Sequence, residues 1–600
     1  MRQLISASLF LLVIQFFSSV ARGQTAEGSL TLHATASAVV VDVVVKDKEH
    51  RAVHGLTQAD FIISEDKKPQ AVAGFEEHTA RAVIYSLPKM PPGVFTNMAL
   101  APAGSAVNVI LIDSLNTPLT DQAFMRDQIL KFVNGPEPLR NVAIFGLSMK
   151  LRMLQGFSSD PAVLRGVVNR QFGKTSPLLA DQIGGSGVPD SISDVMSSPA
   201  NSLMPAEVVA AMQTLEDSNN SLSEQIRVRY TLDELNQLAR YLAAIPGRKN
   251  LIWFSGNFPI DILPAAVATG ADDHFATVAD AEAEYRETAA LLSRSQVAVY
   301  PIDAGGLTTS PTTAASSAGS RYAGNPRNFN KDELNYFEQQ ASGHATMARM
   351  AEDTGGKAFY KTNDLAQAVH DAIDDGSNYY TLVYTPANNK SDGGFRRIDV
   401  KLTKESGCTL EYRRGYFTDK PVSGRKALVA GNAGTVTTAE KAMLHGVPPA
   451  TQILYKVLIQ PATSSTESHL ADRNVTGAKG YAPANPPYRR LVVAFAVAPG
   501  DLAFSTNANG MREANLNFVS MVYQPDGLLV CTRSDTLTVK LNDADFRKLV
   551  QGGLRFTQEI SVPDKGDYSL RTGVYDIASN RLGSMETTVD AVKNLAPVKP

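Results

Sequence analysis

Val107-Asn108-Val109-Ile110-Leu111-Ile112-Asp113-Ser114-Leu115-Asn116-Thr117-Pro118 is the stretch on which the fold turns. Six nearly continuous apolar residues are what a strand covered on both faces requires, because neither side of its pleat meets water. The run stops abruptly at an acid and a loop. A helix follows from Asp121 to Asn134, with Phe124, Ile129, Phe132 and Val133 on one stripe, and then the strand Asn141–Leu147. Leu151–Leu154 suits a short antiparallel partner of that strand.

Further out, buried strands keep alternating with helices. Thr231 opens a helix to Ala244, Leu251-Ile252-Trp253-Phe254 is a strand ending at Ser255, and a helix over 276–294 leads into Val297–Asp303. Helix 333–354, strand Lys357–Tyr360 and helix Asp364–Asp375 complete the series. Such alternation predicts an α/β unit with a doubly wound, mainly parallel sheet. Two loose tracts rich in Gly, Ser, Pro and Asn interrupt it: 174–222, with a helix at 205–217, and 304–330.

The flanks read differently. Ala38–Val45 and Phe61–Asp66 are β-type, with Lys46-Asp47-Lys48-Glu49-His50 as a polar hairpin tip, and 379–417 returns to strands. The simplest arrangement joins the two segments in one β-sandwich. Residues 86–106 and 421–450 read as linkers, and 451–600 as a C-terminal antiparallel sandwich resembling an immunoglobulin-like fold. At the chain start, Met1-Arg2-Gln3, the apolar run Leu4–Phe17 and Ala21-Arg22-Gly23 read as an export signal. The run is shorter than the ~20 residues that span a bilayer. The expected domains are therefore a signal at 1–23, a β-module with linker at 24–100, the α/β unit at 101–378, a β-extension at 379–420, a linker at 421–450 and the sandwich at 451–600. The expected location is secreted or periplasmic, with membrane contact only through the export signal.

Four phrases carry a resemblance. Leu111–Thr117, Gly247-Arg248-Lys249-Asn250-Leu251-Ile252-Trp253-Phe254-Ser255-Gly256, Val299–Asp303 and Thr354-Gly355-Gly356-Lys357-Ala358-Phe359 occur in order. Together with the element series they resemble a von Willebrand factor type A (VWA-like) domain, and more narrowly the VWFA-related proteins of acidobacteria. That resemblance implies a divalent cation held by hydroxyls and carboxylates, hard oxygen ligands suited to Mg²⁺. Asp113 matches the first ligand, Thr117 the last hydroxyl of its motif and Thr231 the middle-loop threonine. Leu115 stands where a serine is expected and Ser255 where an aspartate is expected, so the motif is degenerate.

Two readings follow. In one, Mg²⁺ stays at Asp113, Thr117, Thr231 and Ser255 with water in the lost positions. In the other, which is the expectation here, Asp113 caps the loop, Asn116 and Thr117 satisfy backbone groups, and no cofactor is used. A protein partner would then meet the edge formed by Asp113, Leu115, Asn116, Thr117, Asn257 and Phe258.

Composition narrows the function. Lys and Arg number 57 against 60 Asp and Glu, a net −3 in 600 residues, without the basic excess of a nucleic-acid binder. Cys408 and Cys531 are the two cysteines; one long-range bridge and two buried thiols both satisfy them. No Gly-x-Ser-x-Gly elbow, His-Glu-x-x-His or phosphate-binding loop occurs. The nine histidines are scattered, and acidic pairs such as Asp374-Asp375 read as solvated. The expectation is a non-enzymatic, exported protein-binding or adhesion protein. The alternatives are an exported hydrolase of polysaccharide or peptide, with the two loose tracts forming a cleft, and a structural subunit of an envelope complex.

Overall fold

In the computed structural model, the described residues are 38–598 without 80–89, 99–105, 137–138, 140, 172–175, 177, 179–204, 257–272, 308–325, 389, 391, 405–406, 419–437, 477–485 and 507–509. The signal read at 1–23 and much of both loose tracts and of the second linker lie outside them.

Strand Val107–Asp113 is buried at every residue and has parallel neighbours on both sides, Val142–Leu147 and Lys249–Ser255. Val297–Asp303 extends the sheet in parallel beyond Lys249–Ser255. Arg152–Ser158 closes the other end as an antiparallel edge. Successive side chains enter opposite layers. Val107, Val109 and Leu111 pack with Leu235 and Leu238 of helix Ala206–Leu242, Leu292 of helix Asp273–Arg294 and Met350 of helix Pro326–Thr354. Ile110 and Ile112 pack with Ile129 of helix Leu119–Val133, Leu164 of helix Pro161–Gln171 and Val369 of helix Leu365–Ser377. Each fully buried leucine or isoleucine contributes about 1.5–3 kcal/mol. The result is a mixed α/β fold with several sheets, one of them largely parallel.

Ala206–Leu242 is a single helix of 37 residues, which corrects the reading of a loose tract to 222 and a separate helix from Thr231. Ser218-Asn219-Asn220-Ser221 has loop-like composition, but the helix contains neither Gly nor Pro, so nothing in its backbone forces a break.

Chain on both sides of this unit shares two further sheets. Val39–Lys46 pairs with Tyr379–Tyr384 and with Thr409–Glu411, while Phe61–Glu65 pairs with Phe395–Leu402. Val41, Val43, Ile63, Leu382, Tyr384 and Val400 form their common core. Asp47-Lys48-Glu49-His50 form the polar turn that the sequence suggests, but Lys46 at its base, bridged to Ala52, is buried between Asp375 and Glu411. Asp375 is likewise buried rather than solvated.

In the C-terminal part, Tyr455–Pro461, Tyr488–Val497 and Leu554–Pro563 make one antiparallel sheet. Arg512–Tyr523, Leu529–Leu541, Ser569–Asp576 and Arg581–Thr588 make another, and both face a core containing Val457, Phe495, Phe518 and Val574. Helix Asp543–Gly552, absent from the sequence reading, is capped by the Asn542 side chain. Val94–Thr96, read as linker, adds a strand to the first of these sheets. Asn97 fixes it there, donating to the carbonyls of Ala450 and Ile453 at 2.7 and 2.8 Å and accepting from the Tyr455 amide at 3.0 Å. Cys408 and Cys531 are free thiols in different cores.

Candidate functional site

Asp113 and Ser255 end adjacent parallel strands at the point where the chain leaves Val107–Asp113 toward one side of the sheet and returns on the other. Crevices form at such switch points, where ligands of open α/β sheets bind. The structure brings Asp113, Thr117, Thr231 and Ser255 together here, with Asn116 among them.

Asp113 accepts five hydrogen bonds. Its Oδ1 takes the backbone N–H groups of Leu115 and Asn116 at 3.0 and 2.9 Å. Its Oδ2 takes Asn116 Nδ2 at 2.9 Å, the Ser255 hydroxyl at 2.9 Å and the Trp253 indole at 3.2 Å. Asn116 Nδ2 also donates to Thr231 Oγ1 at 2.8 Å. Thr117 Oγ1 accepts from the Gly256 amide at 3.0 Å. Glycine is needed there because a Cβ on Gly256 would meet Pro118 Cδ at 2.9 Å. Burial raises the Asp113 carboxyl above its ordinary range, against the pull of its Asn116, Ser255 and Trp253 donors.

Two more buried charged groups come from helix Ala206–Leu242. Arg227 is close enough for its charge to couple to those of Glu224 and Asp113. Glu234 is held well above the usual carboxyl range by burial, with Asp233 and Asp113 adding to the rise.

Mg²⁺ requires near-octahedral oxygen at about 2.0–2.1 Å. Here Oδ2 of Asp113 already faces three donors, Thr231 Oγ1 faces an amide, and the Asn116 nitrogen lies between them. The donor set does not fit a bound cation. Among the described residues no group of three or more His, Cys, Asp or Glu is placed to hold a metal ion.

The partner-binding edge also needs correction. Asp113, Asn116 and Thr117 are fully buried, and Leu115 lies inside the core on the Val109 face of the sheet, so none of the four is presented to a partner. A two-residue turn held by Asp113 Oδ1 folds Leu115 inward. Asn257 and Phe258 lie outside the described residues.

Two features escaped the sequence. At the end of the next strand, Asp303 Oδ2 lies 3.0 Å from His344 Nε2, and the imidazole stacks on Tyr360 at 4.6 Å. The pair is 41 residues apart, so no spacing motif announces it. The second feature is a cavity of about 480 Å³ between helix Pro326–Thr354 and the β strands, lined among others by Arg349, Glu352, Asp353, Phe395, Arg397 and Arg414. Arg414 pairs with Glu352 at 2.7 Å, and Arg349 with Glu282 at 2.9 Å. The side chains of Arg397 and Arg414 are 69% and 62% exposed, against 42% for Glu352 and 16% for Asp353.

No family model matches the sequence, and no curated protein matches it. Similar solved structures include an aerotolerance-related membrane protein from Bacteroides fragilis, at 12% identity over 45% of this chain and 98% of that one, TM-score 0.23. A von Willebrand factor type A structure from Catenulispora acidiphila shows 10% identity over 62% of this chain and 78% of that one, TM-score 0.22. Three N-terminal domains of a type V pilus tip protein from Porphyromonas gingivalis show 8% identity over 86% of this chain and 77% of that one, TM-score 0.23. Scores at this level lend no weight to a shared function, and the fold rests on this chain's own strand order.

Proposed function

We propose that this chain is an exported, non-enzymatic protein-binding or adhesion protein of the VWFA-related kind, using no cofactor. In this reading a doubly wound VWA-like unit is braced by β-sandwich modules and takes an acidic segment of a protein partner. The order of the central strands, with one antiparallel edge, and the helices on both faces support the VWA-like assignment. The observation that carries the function is the cavity beside helix Pro326–Thr354, where Arg397 and Arg414, largely exposed and paired only at the surface with Asp399 at 3.5 Å and Glu352 at 2.7 Å, flank the half-exposed Phe395. Arginine and aromatic residues are enriched at protein interfaces, and guanidinium groups recognise carboxylates in bidentate fashion. Location outside the cytoplasm follows from the export-signal reading. Among the described residues no helix is long and apolar enough to cross a membrane.

The test is capture and cross-linking from the producing cell's envelope fraction with the full chain, in parallel with the double variant R397E/R414E. A partner held by the wild type and released by the variant, with binding weakened by salt, supports the reading. Equal capture by both chains rejects it. A deletion used alongside should stop short of residue 205, because the helix from Ala206 is part of the domain.

One observation favours the hydrolase alternative, the His344–Asp303 contact at the same sheet end as Asp113. An oriented imidazole is what a general base requires. Hydrolysis of a polysaccharide or peptide panel that H344A abolishes without loss of folding would move the assignment there.

A further inference from the structure

At the positions where the resemblance places cation ligands, the space is filled by a side chain of the protein. Asn116 Nδ2 lies 2.9 Å from Asp113 Oδ2 and 2.8 Å from Thr231 Oγ1. A carboxamide NH₂ has two protons to donate, and both are committed to these oxygens. The nitrogen therefore ties the end of strand Val107–Asp113 to helix Ala206–Leu242, the same link a shared ion would make. Ser255 Oγ, 2.9 Å from the same carboxylate oxygen, brings in the neighbouring strand. Asn116 is fully buried, and its Oδ1 accepts no hydrogen bond among the described residues. An unmade bond at a buried acceptor is costly, so the bridge on the nitrogen side is what holds the side chain in place. Positive charge is also supplied from within the chain: Arg227 stands one helical turn before Thr231, is buried, and its charge couples to that of Asp113.

We propose that the Asn116 carboxamide stands in for the divalent cation, bridging Asp113 to Thr231 permanently and locking this edge in one metal-independent arrangement. The proposal shares only the absence of a cofactor with the function proposed above. It stands or falls without reference to any partner, since its readout is cation-linked stability.

The decisive variant is N116D. It keeps the side-chain shape but replaces the donor with a second carboxylate facing Asp113, an arrangement of like charges that a cation relieves. Thermal unfolding of the full chain is followed in EDTA and in millimolar Mg²⁺ or Mn²⁺. The wild-type midpoint is expected to be the same in both, whereas N116D drops in EDTA and recovers by about 3 °C or more with the cation. A wild-type midpoint that rises with cation, the rise being lost in the shape-conserving T231V, overturns the proposal. So does a folded N116D that is indifferent to cation. If N116D does not fold, N116A opens the same space without adding charge and is read identically: cation-dependent stabilisation supports the proposal, and indifference overturns it.

Discussion

Lys46 Nζ lies 2.6 Å from Asp375 Oδ1 with both side chains buried, and Glu411 Oε1 is 3.0 Å away on the other side of the same ammonium. Lys46 ends the first strand of the N-terminal β-unit, Asp375 belongs to the last helix of the α/β unit, and Glu411 lies in the strand that returns beyond it. One cation between two carboxylates leaves an excess negative charge out of water. Burial and the Glu411 charge push Asp375 up to about 6. At Lys46, burial acts downward and the two carboxylates more than offset it, leaving the ammonium above its ordinary range.

A pH effect of defined sign follows. The folded chain holds a proton on Asp375 more readily than the unfolded chain, whose value is 3.8. This contribution to stability is therefore full below 3.8 and is lost as pH rises toward about 6. Compared with D375N, the wild type should lose thermal stability across that window. A difference between the two chains that stays constant with pH rejects the assignment.

Lys249 presents the opposite sign. Its ammonium is buried, donates to the Ile245 carbonyl at 2.6 Å, and has no ion pair among the described residues. Burial brings it down to about 7 from 10.5. Below 7 it is charged in both states and carries the full desolvation penalty; the penalty shrinks as pH rises from about 7 and is gone only above 10.5, where the side chain is neutral in both states. K249M should therefore be more stable than wild type near neutral pH, with the advantage shrinking as pH is raised. Calorimetry of both chains across that range checks it.

D113A should destabilise the α/β unit by about 4 kcal/mol, because it leaves five donors from Leu115, Asn116, Trp253 and Ser255 without their acceptor. Trp253 is the single tryptophan of the chain and touches Asp113 directly. Urea unfolding followed by its fluorescence reports on this unit alone. A loss under about 1 kcal/mol would show that the network is dispensable.

Gly356 and Gly166 make a contrasting pair. A Cβ on Gly356 would lie 2.0 Å from the Val299 carbonyl oxygen, a backbone atom, whereas one on Gly166 meets nothing within 4 Å. G356A should cost about 3 kcal/mol or more. G166A, within helix Pro161–Gln171, should stabilise by about 0.5–1 kcal/mol. A G356A midpoint that does not fall would refute the packing at Val299, and a G166A midpoint that falls would refute the open space at Gly166.

Several elements could be read from the chain because their signal is local. The runs at 107–112, 251–254 and 297–302 are continuous because each strand is buried on both faces. Helix Ala206–Leu242 was legible only in part. Asp233, Glu234, Asn236 and Gln237 are polar, yet all are buried, and residues from the C-terminal half reach this helix from far along the chain. Lys441 reaches Asp233, and Thr451 bonds to the Arg240 and Tyr241 carbonyls at 3.1 and 2.8 Å. The strand Val94–Thr96 was hidden for a related reason: its partner, Tyr455–Pro461, is more than 350 residues away.

What the sequence determined by itself was which segments had to become strands sealed on both faces and which helices had to cover them. Hydrophobic periodicity is a property of neighbouring residues, so it needs no tertiary partner to be read. What only the tertiary structure decided was the state of the polar groups. Asp113 draws donors from its own loop and from the adjacent strand, Lys46 meets two acids from distant segments, and Leu115 turns into the core. A buried charge is stable only with the partners the fold delivers; for Lys46 all of those partners, and for Asp113 the Trp253 and Ser255 donors, come from segments far away in the chain.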